Sequence, residues 1–466
     1  MTKHPTRIRV ARMAALGVAG ALVLTGCSSG SSDGGGKTSA DGVSSAAAAG
    51  EGPLTMWAHK GNAPAETAAL QAAVASFNAA HPKSPVTVKL IAESDYPTTV
   101  SAASASSLPD VLEVDGPTMA AQLRAKRLVE LGPLLDPKTV NNLTGPIKDQ
   151  GTLDGKLYTV GQFNSAIGIY ANKKLLDAAG VKYPTTLAGA WTADEFTAAV
   201  KTLAARNTVL PGKSLDLKLN YSKGGLTGEF GTFAFSPLVW SAGGDLMKDG
   251  KAVGALNSDA TVKALNTVAS WRSYVTPDTD DKDFATGKVA LSYVGHWAYP
   301  DYKKALGANL LALPLPNLGI GTRTGAGSWS WGVTPNSKHP KTAAAFLDHL
   351  LTDENVATMV AANAAPPGTN TALAASSLYG KGGGLALWGE AASNAGVAVG
   401  TSCASGTNIP NTCVAIVRPR TAGYPIVTTE FANALDVIFK GADAKATLDK
   451  AAQTVDTDFA DNDGYR

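Results

Sequence analysis

From Gly52 onward the chain alternates short apolar runs with amphipathic stretches. Leu54 to Ala58 is a brief apolar run closed by a turn through Gly61 and Pro64, which predicts a first strand. Leu70, Val74 and Phe77 then recur at i, i+4 and i+7 in an Ala-rich segment, the narrow apolar stripe of a helix that Pro82 stops. Val86 to Ile91 alternates as a second strand, and Asp110 to Val114 reads as a third. Thr192 and Glu195 have the spacing of a capping box ahead of the apolar positions Phe196, Val200 and Leu203. Farther along, Phe431, Leu435 and Ile438 stop at Gly441, and Leu448, Val455 and Phe459 resume the helical spacing. Strands alternating with helices of this length predict an α/β fold with largely parallel sheets. No internal repeat of roughly 20 to 50 residues interrupts the pattern.

Before Gly52 the pattern is different. Lys3, Arg7, Arg9 and Arg12 make a cationic start, Met13 to Leu24 is an unbroken apolar run, and Leu24-Thr25-Gly26-Cys27 supplies small residues for cleavage. This is the layout of an export signal. The apolar run is about 12 residues, short of the ~20 that a membrane-spanning helix needs. The LTGC string resembles the bacterial lipobox, which implies removal of residues 1–26 and a lipid on Cys27; an ordinary secretory peptide with a nearby Cys is the alternative. Lipid chains contribute about 0.8 kcal/mol per buried methylene, so two or three would hold the protein to the outer face of the cell membrane. Ser28 to Gly52 is almost wholly Ser, Gly, Ala and Asp and cannot bury a core. As a flexible coil it spans about 25 to 30 Å and makes 27–51 a tether. The two GxSxG strings at Gly26–Gly34 lack the strand-turn-helix setting of a nucleophile elbow.

Composition narrows the function. The chain has 466 residues, enough for two or three domains of ordinary size. Its formal charge of +2 comes from 40 basic and 38 acidic residues, and removing the four basic residues of the signal leaves a net of −2. A near-neutral body has no bulk electrostatic reason to bind nucleic acid. There is no HExxH, no phosphate-binding loop and no GxGxxG opening a helix, and the six histidines are scattered. No metal or cofactor is called for. Carboxylates such as Glu93, Asp115, Glu229 and Glu390 keep open a glycoside-hydrolysing pair, since such pairs converge from distant positions. Cys403 and Cys413 are the only other thiols of an exported chain, which predicts a disulfide between them.

Several strings carry a family resemblance: LTMWAHKG from Leu54, LPDVLEVDGP from Leu108, GKLYTVGQFNSAIGIYANKKLLDAAGV from Gly155 and WTADEF from Trp191. SPLVWSAGGDLM from Ser236, GKVALSYVGHWAYPDY from Gly287, SWSWGVTPNSKHPKTAAAFLDHLLTDENV from Ser328 and RPRTAGYP from Arg418 continue it. Their order resembles that of maltose-binding-protein-like extracellular solute-binding lipoproteins of sugar-importing ABC transporters, over nearly the whole chain after the tether.

The resemblance implies a monomer of two α/β lobes, joined by crossing segments, that closes on a ligand in the interlobe cleft. Lobe I would take 52–163 and 332–363, lobe II 164–331 and 364–466. It implies capture of a carbohydrate, or another polar solute, for a permease driven by a cytoplasmic ATPase; an exported carbohydrate-active hydrolase is the competing class. Sugars offer hydroxyls to polar groups and C–H faces to aromatic rings. The expected ligand contacts are accordingly His59, Lys60, Asp115, Asn164, Trp240, His296, Trp297, Trp329, Trp331 and Tyr424. Trp297 ranks first because GHWAYP resembles the family's GPW-like motif, with His296 in place of the usual Pro. Trp329 and Trp331, two apart on a strand, share a side, and one of them is expected to line the cleft.

Overall fold

The computed structural model describes residues 50–61, 64–219, 225–278, 282–394, 397 and 403–465. The export segment, Cys27 and the tether up to residue 49 lie outside the described residues. Among the described residues no helix is long and apolar enough to cross a membrane.

The first predicted strand is β1 (Leu54–Lys60), whose inward residues Leu54, Met56 and Ala58 alternate with more exposed ones. It pairs in parallel with β2 (Val86–Ala92) along its whole length and with β3 (Val111–Asp115) on its other edge. The helix between β1 and β2, Pro64–Ala80, buries Leu70, Val74 and Phe77, the stripe its spacing predicts. A short hairpin of β4 (Thr152–Leu153) and β5 (Lys156–Leu157) follows. The chain then crosses to a second sheet of β6 (Ile167–Asn172), β7 (Leu215–Asp216), β8 (Leu291–Gly295) and β9 (Leu310–Leu313), in the order β7-β8-β6-β9. Crossing strands β10 (Thr324–Ala326) and β12 (Ala415–Val417) pair in parallel, and β11 (Trp329–Val333) returns to the first sheet beside β3.

One expectation is corrected here. Two of the three strand pairings in the first sheet are parallel, but in the second only the pairing of β7 with β8 is; β6 runs antiparallel to both of its neighbours. β6 is buried on both faces, and an apolar run enclosed on both sides reads the same in either direction. β11 lies in the first sheet, where all five of its residues pair with β3. Pro367 and Thr369 bridge Phe163 and Leu143.

Each sheet packs its own helices. The first core gathers Phe77, Phe346, Leu347 and Trp331. The second surrounds Phe196, Phe235, Trp271 and Tyr293, with Phe235 and Tyr293 stacked at 5.0 Å. The helix Ala193–Arg206 begins with the full capping box of Thr192 and Glu195, and the helices Tyr424–Phe439 and Ala444–Asp461 bury the expected stripes. Cys403 and Cys413 are disulfide-bonded and enclose Trp240 with Ile416.

Phe77 is wholly buried and meets Phe346 edge-on at 5.1 Å, so its ring joins the helix Pro64–Ala80 to the helix Pro340–Leu350. Phe77→Ala is expected to cost about 3 to 5 kcal/mol of stability, because the surroundings cannot collapse into the space of a lost ring. Denaturant unfolding of the two proteins measures it.

Candidate functional site

The ends of β1, β3, β8 and β12 and the start of β11 gather the groups that carry chemistry. In the first lobe, parallel pairing brings the carboxyl ends of β1 and β3 to one edge, and antiparallel β11 sets Trp329 opposite Asp115. His59 ends β1 with 8% of its side chain exposed. Buried Glu113 accepts from the His59 main-chain N–H at 2.6 Å and from ring Nδ1 at 2.8 Å. The imidazole then lies flat on Trp329, ring centres 4.2 Å apart at an interplanar angle of 17°. Tyr96 meets the same indole edge-on at 5.5 Å and donates its hydroxyl to the Glu113 carbonyl at 2.8 Å. Burial alone would lower the His59 pKa, but attraction and hydrogen bonding from Glu113, helped by Glu66 and Glu93, raise it to about 9. Burial pushes the carboxyls of Glu66 and Glu93 above their ordinary range.

From the second lobe comes the turn after β8. Trp297 is half-buried and lies across Gly295 so closely that a Cβ there would stand 2.1 Å from the ring. Any side chain at 295 would displace the indole. Phe233 approaches it with centres 6.1 Å apart. His296 is buried and places Nδ1 2.8 Å from the Asn363 carbonyl, so Nδ1 carries the proton and Nε2 is a bare acceptor with no hydrogen-bond partner among the described residues. Burial lowers its pKa to about 4, which keeps the ring neutral.

Arg418, directly after β12, joins the two sides. Its guanidinium is 4% exposed, lies over the Phe233 ring at 5.0 Å, pairs with Glu229 and stands 3.5 Å from the Asp115 carboxylate. Tyr424 and Thr428 both donate hydroxyls to Glu229, Thr428 at 2.6 Å. Burial raises the Asp115 pKa; Arg418 opposes this and Glu229 reinforces it, leaving it at about 6. Among the described residues no cluster of three or more His, Cys, Asp or Glu side chains could hold a metal ion.

The ten expected positions thus divide. His59, Asp115, Trp297 and Trp329 stand partly open at the ends of the strands, Lys60 is exposed beside them, and His296 lies just beneath. Three aromatics are enclosed by the protein. Trp240 is 2% exposed and donates Nε1 to Asp245 at 2.9 Å inside the disulfide cluster. Trp331, 4% exposed, belongs to the first core. Tyr424 has no exposed surface and reaches the site only through the hydrogen bond to Glu229. A ring enclosed on all sides has no face for a ligand. Asn164 is buried in the crossover, and its side-chain Oδ1 accepts from the N–H groups of Ser165 and Gly327, both at 2.9 Å. Sequence reasoning passed over Arg418, Glu113, Phe233 and Tyr96 as site residues. An arginine ending the apolar Ala415–Val417 run was the one visible signal.

Arg418→Met is expected to destabilise the protein by on the order of 3 kcal/mol, since removing one partner strands buried charge. The loss falls at the low end for such pairs because Glu229 keeps 35% of its side chain in water. Glu229→Gln in the same chain should restore part of it, and thermal or denaturant unfolding of the single and double variants reads both effects.

Comparison with known proteins agrees with this layout. The sequence model described as "Bacterial extracellular solute-binding protein" matches residues 72–382, two thirds of the chain. Among solved structures, the cyclic alpha-maltosyl-1,6-maltose binding protein of Arthrobacter globiformis is 25% identical, with a TM-score of 0.67 over 88% of this chain and 99% of that one. The GacH receptor of Streptomyces glaucescens, solved unliganded and with acarbose, is 20% identical, with a TM-score of 0.68 over 89% and 98%. Maltose-bound MalE3 of T. maritima is 18% identical, with a TM-score of 0.70 over 87% and 99%. Two lobes on two sheets are thus the shared fold, and proteins of this family bind solutes without transforming them. The chain belongs to the bacterial extracellular solute-binding proteins.

Proposed function

We propose that the protein is the substrate-binding lipoprotein of an ABC importer, capturing a carbohydrate in the cleft between its lobes and delivering it to a membrane permease with a cytoplasmic ATPase. One observation supports this above the others: half-buried indoles, Trp297 and Trp329, stand at the strand ends of different lobes among Asp115, His59 and Arg418. Flat apolar faces suit sugar C–H groups, while carboxylates, imidazole and guanidinium hydrogen-bond hydroxyls. The similar proteins of A. globiformis and T. maritima, a cyclic alpha-maltosyl-1,6-maltose binding protein and a maltose-bound MalE3, favour an oligosaccharide. The contacts we assign to the ligand are His59, Lys60, Asp115, Trp297 and Trp329, with Glu229 added, and buried His296 and Arg418 support them from beneath. Asn164, fixed in the crossover, acts through the hinge. Export and acylation at Cys27 would anchor the protein, as a monomer, to the outer face of the membrane.

Calorimetric titration with maltose, maltotriose and a cyclic malto-oligosaccharide tests the reading. At least one should bind and be recovered unchanged; absence of binding across a wider saccharide panel, or turnover of the sugar, contradicts it. Trp297→Ala should weaken the bound sugar by on the order of 2 kcal/mol, roughly 30-fold, while unfolding shifts by less than the loss of a core tryptophan. A severely lowered unfolding midpoint with unchanged affinity would return Trp297 to the core.

The anchor has its own test. Cys27→Ala should leave the protein unprocessed or release it to the medium, whereas normal processing with membrane retention would exclude the lipid as anchor.

A further inference from the structure

We propose that Glu113 is the positioning residue of the cleft, holding the His59 ring flat against Trp329 with one N–H committed and the other left for the ligand. The proposal rests on the reading of the cleft as a saccharide site. Glu113 itself is 2% exposed and sits beneath the ring rather than at the open surface. A single oxygen, Oε2, takes both the main-chain N–H and the Nδ1–H of His59, which fixes the backbone end and the ring together. Tyr96 braces the arrangement from both sides, through its hydroxyl to the Glu113 carbonyl and its ring edge to Trp329. With Nδ1 bound, Nε2 is the ring's remaining nitrogen, on a platform stacked over an indole that is itself partly open.

The same contact governs the ring's charge. The charged groups around His59 are Glu113 and Asp115 from β3, Glu66 from the helix after β1, and Glu93 just after β2. Burial works against the imidazolium, and Glu113 supplies the largest opposing attraction. With the pKa raised to about 9, the ring carries two N–H donors at neutral pH instead of one. The stability gained from this pairing is fully present below the unfolded value of about 6.5 and fades as pH rises through about 9.

Glu113→Gln separates positioning from mere packing, because the amide oxygen still accepts the main-chain N–H but no longer attracts a cation. Histidine-labelled protein without ligand would be titrated by NMR, with His59 assigned through His59→Gln. The wild-type midpoint should lie near 9, and Glu113→Gln should bring it down by more than one pH unit. Calorimetry with maltotriose should show an affinity nearly constant from pH 6 to 8 in the wild type, falling on the order of tenfold over that range in the variant. A wild-type midpoint near 6.5, or one that Glu113→Gln leaves in place, overturns the proposal, and the wild-type measurement decides even if the variant does not fold. If maltotriose binds neither protein, the saccharide reading loses that support, while the NMR midpoints still judge Glu113.

Discussion

A guanidinium taken out of water has to be matched by carboxylates, and at Arg418 that requirement ties the molecule together. Glu229 from the second lobe and Asp115 from the end of β3 supply the charge, and the Phe233 ring supplies a face. Desolvating such an ion costs several kcal/mol, which only good geometry and further hydrogen bonds repay. Those bonds reach outward in both directions. Tyr424 and Thr428 orient Glu229 from the helix Tyr424–Phe439. The Gly327 carbonyl lies 3.5 Å from the guanidinium, and the Gly327 N–H is held by Asn164 in the crossover. The segments that join the lobes therefore share their hydrogen bonds with the charged group at the cleft. A ligand that rearranged Asp115 or Arg418 would be felt at the hinge through contacts no longer than two residues.

On the other wall the governing device is stacking rather than ion pairing. β11 enters the first sheet antiparallel, so its first residue, Trp329, falls opposite the last residue of β3. That register gives His59 a flat surface to lie on, and Glu113 keeps it there. The second lobe offers an indole by a different route, with Trp297 laid across a glycine at the end of β8. Two unrelated local solutions thus place one rigid aromatic ring on each lobe, and such rings lose little entropy on binding.

Much of the fold was legible because its signals are local. The stripe of Leu70, Val74 and Phe77, the apolar run of β1 and the capping box at Thr192 depend only on neighbours in sequence. Strand direction in the second sheet was not legible, since β6 is buried throughout and carries no sign of which way its partners run. The site divides in the same way. His59, Asp115, Trp297 and Trp329 stand at strand ends, where a short string shows the position. Trp331 shares the side of Trp329 but lies one step deeper, and depth within a sheet is set by the helix that covers it. Trp240 was hidden by its partners, Cys403 and Cys413, more than 160 positions away. The pairing of Arg418 with Glu229 spans 189 residues and leaves no mark in either neighbourhood.

Hydrogen-deuterium exchange with and without a bound sugar shows whether a saccharide is held between the lobes at the strand ends. The second lobe also carries an open groove of about 810 Å³ between the start of the helix Ala193–Arg206 and the helix Asp259–Ser270, lined without aromatic residues. It provides an internal contrast. A sugar held in the cleft should slow exchange at 59–61, 113–118, 295–299, 327–331 and 418–424 together, in both lobes and the crossing segments. Protection confined to one lobe, or centred on the groove beside Asp259 and Asn317, would rule the cleft out as the site.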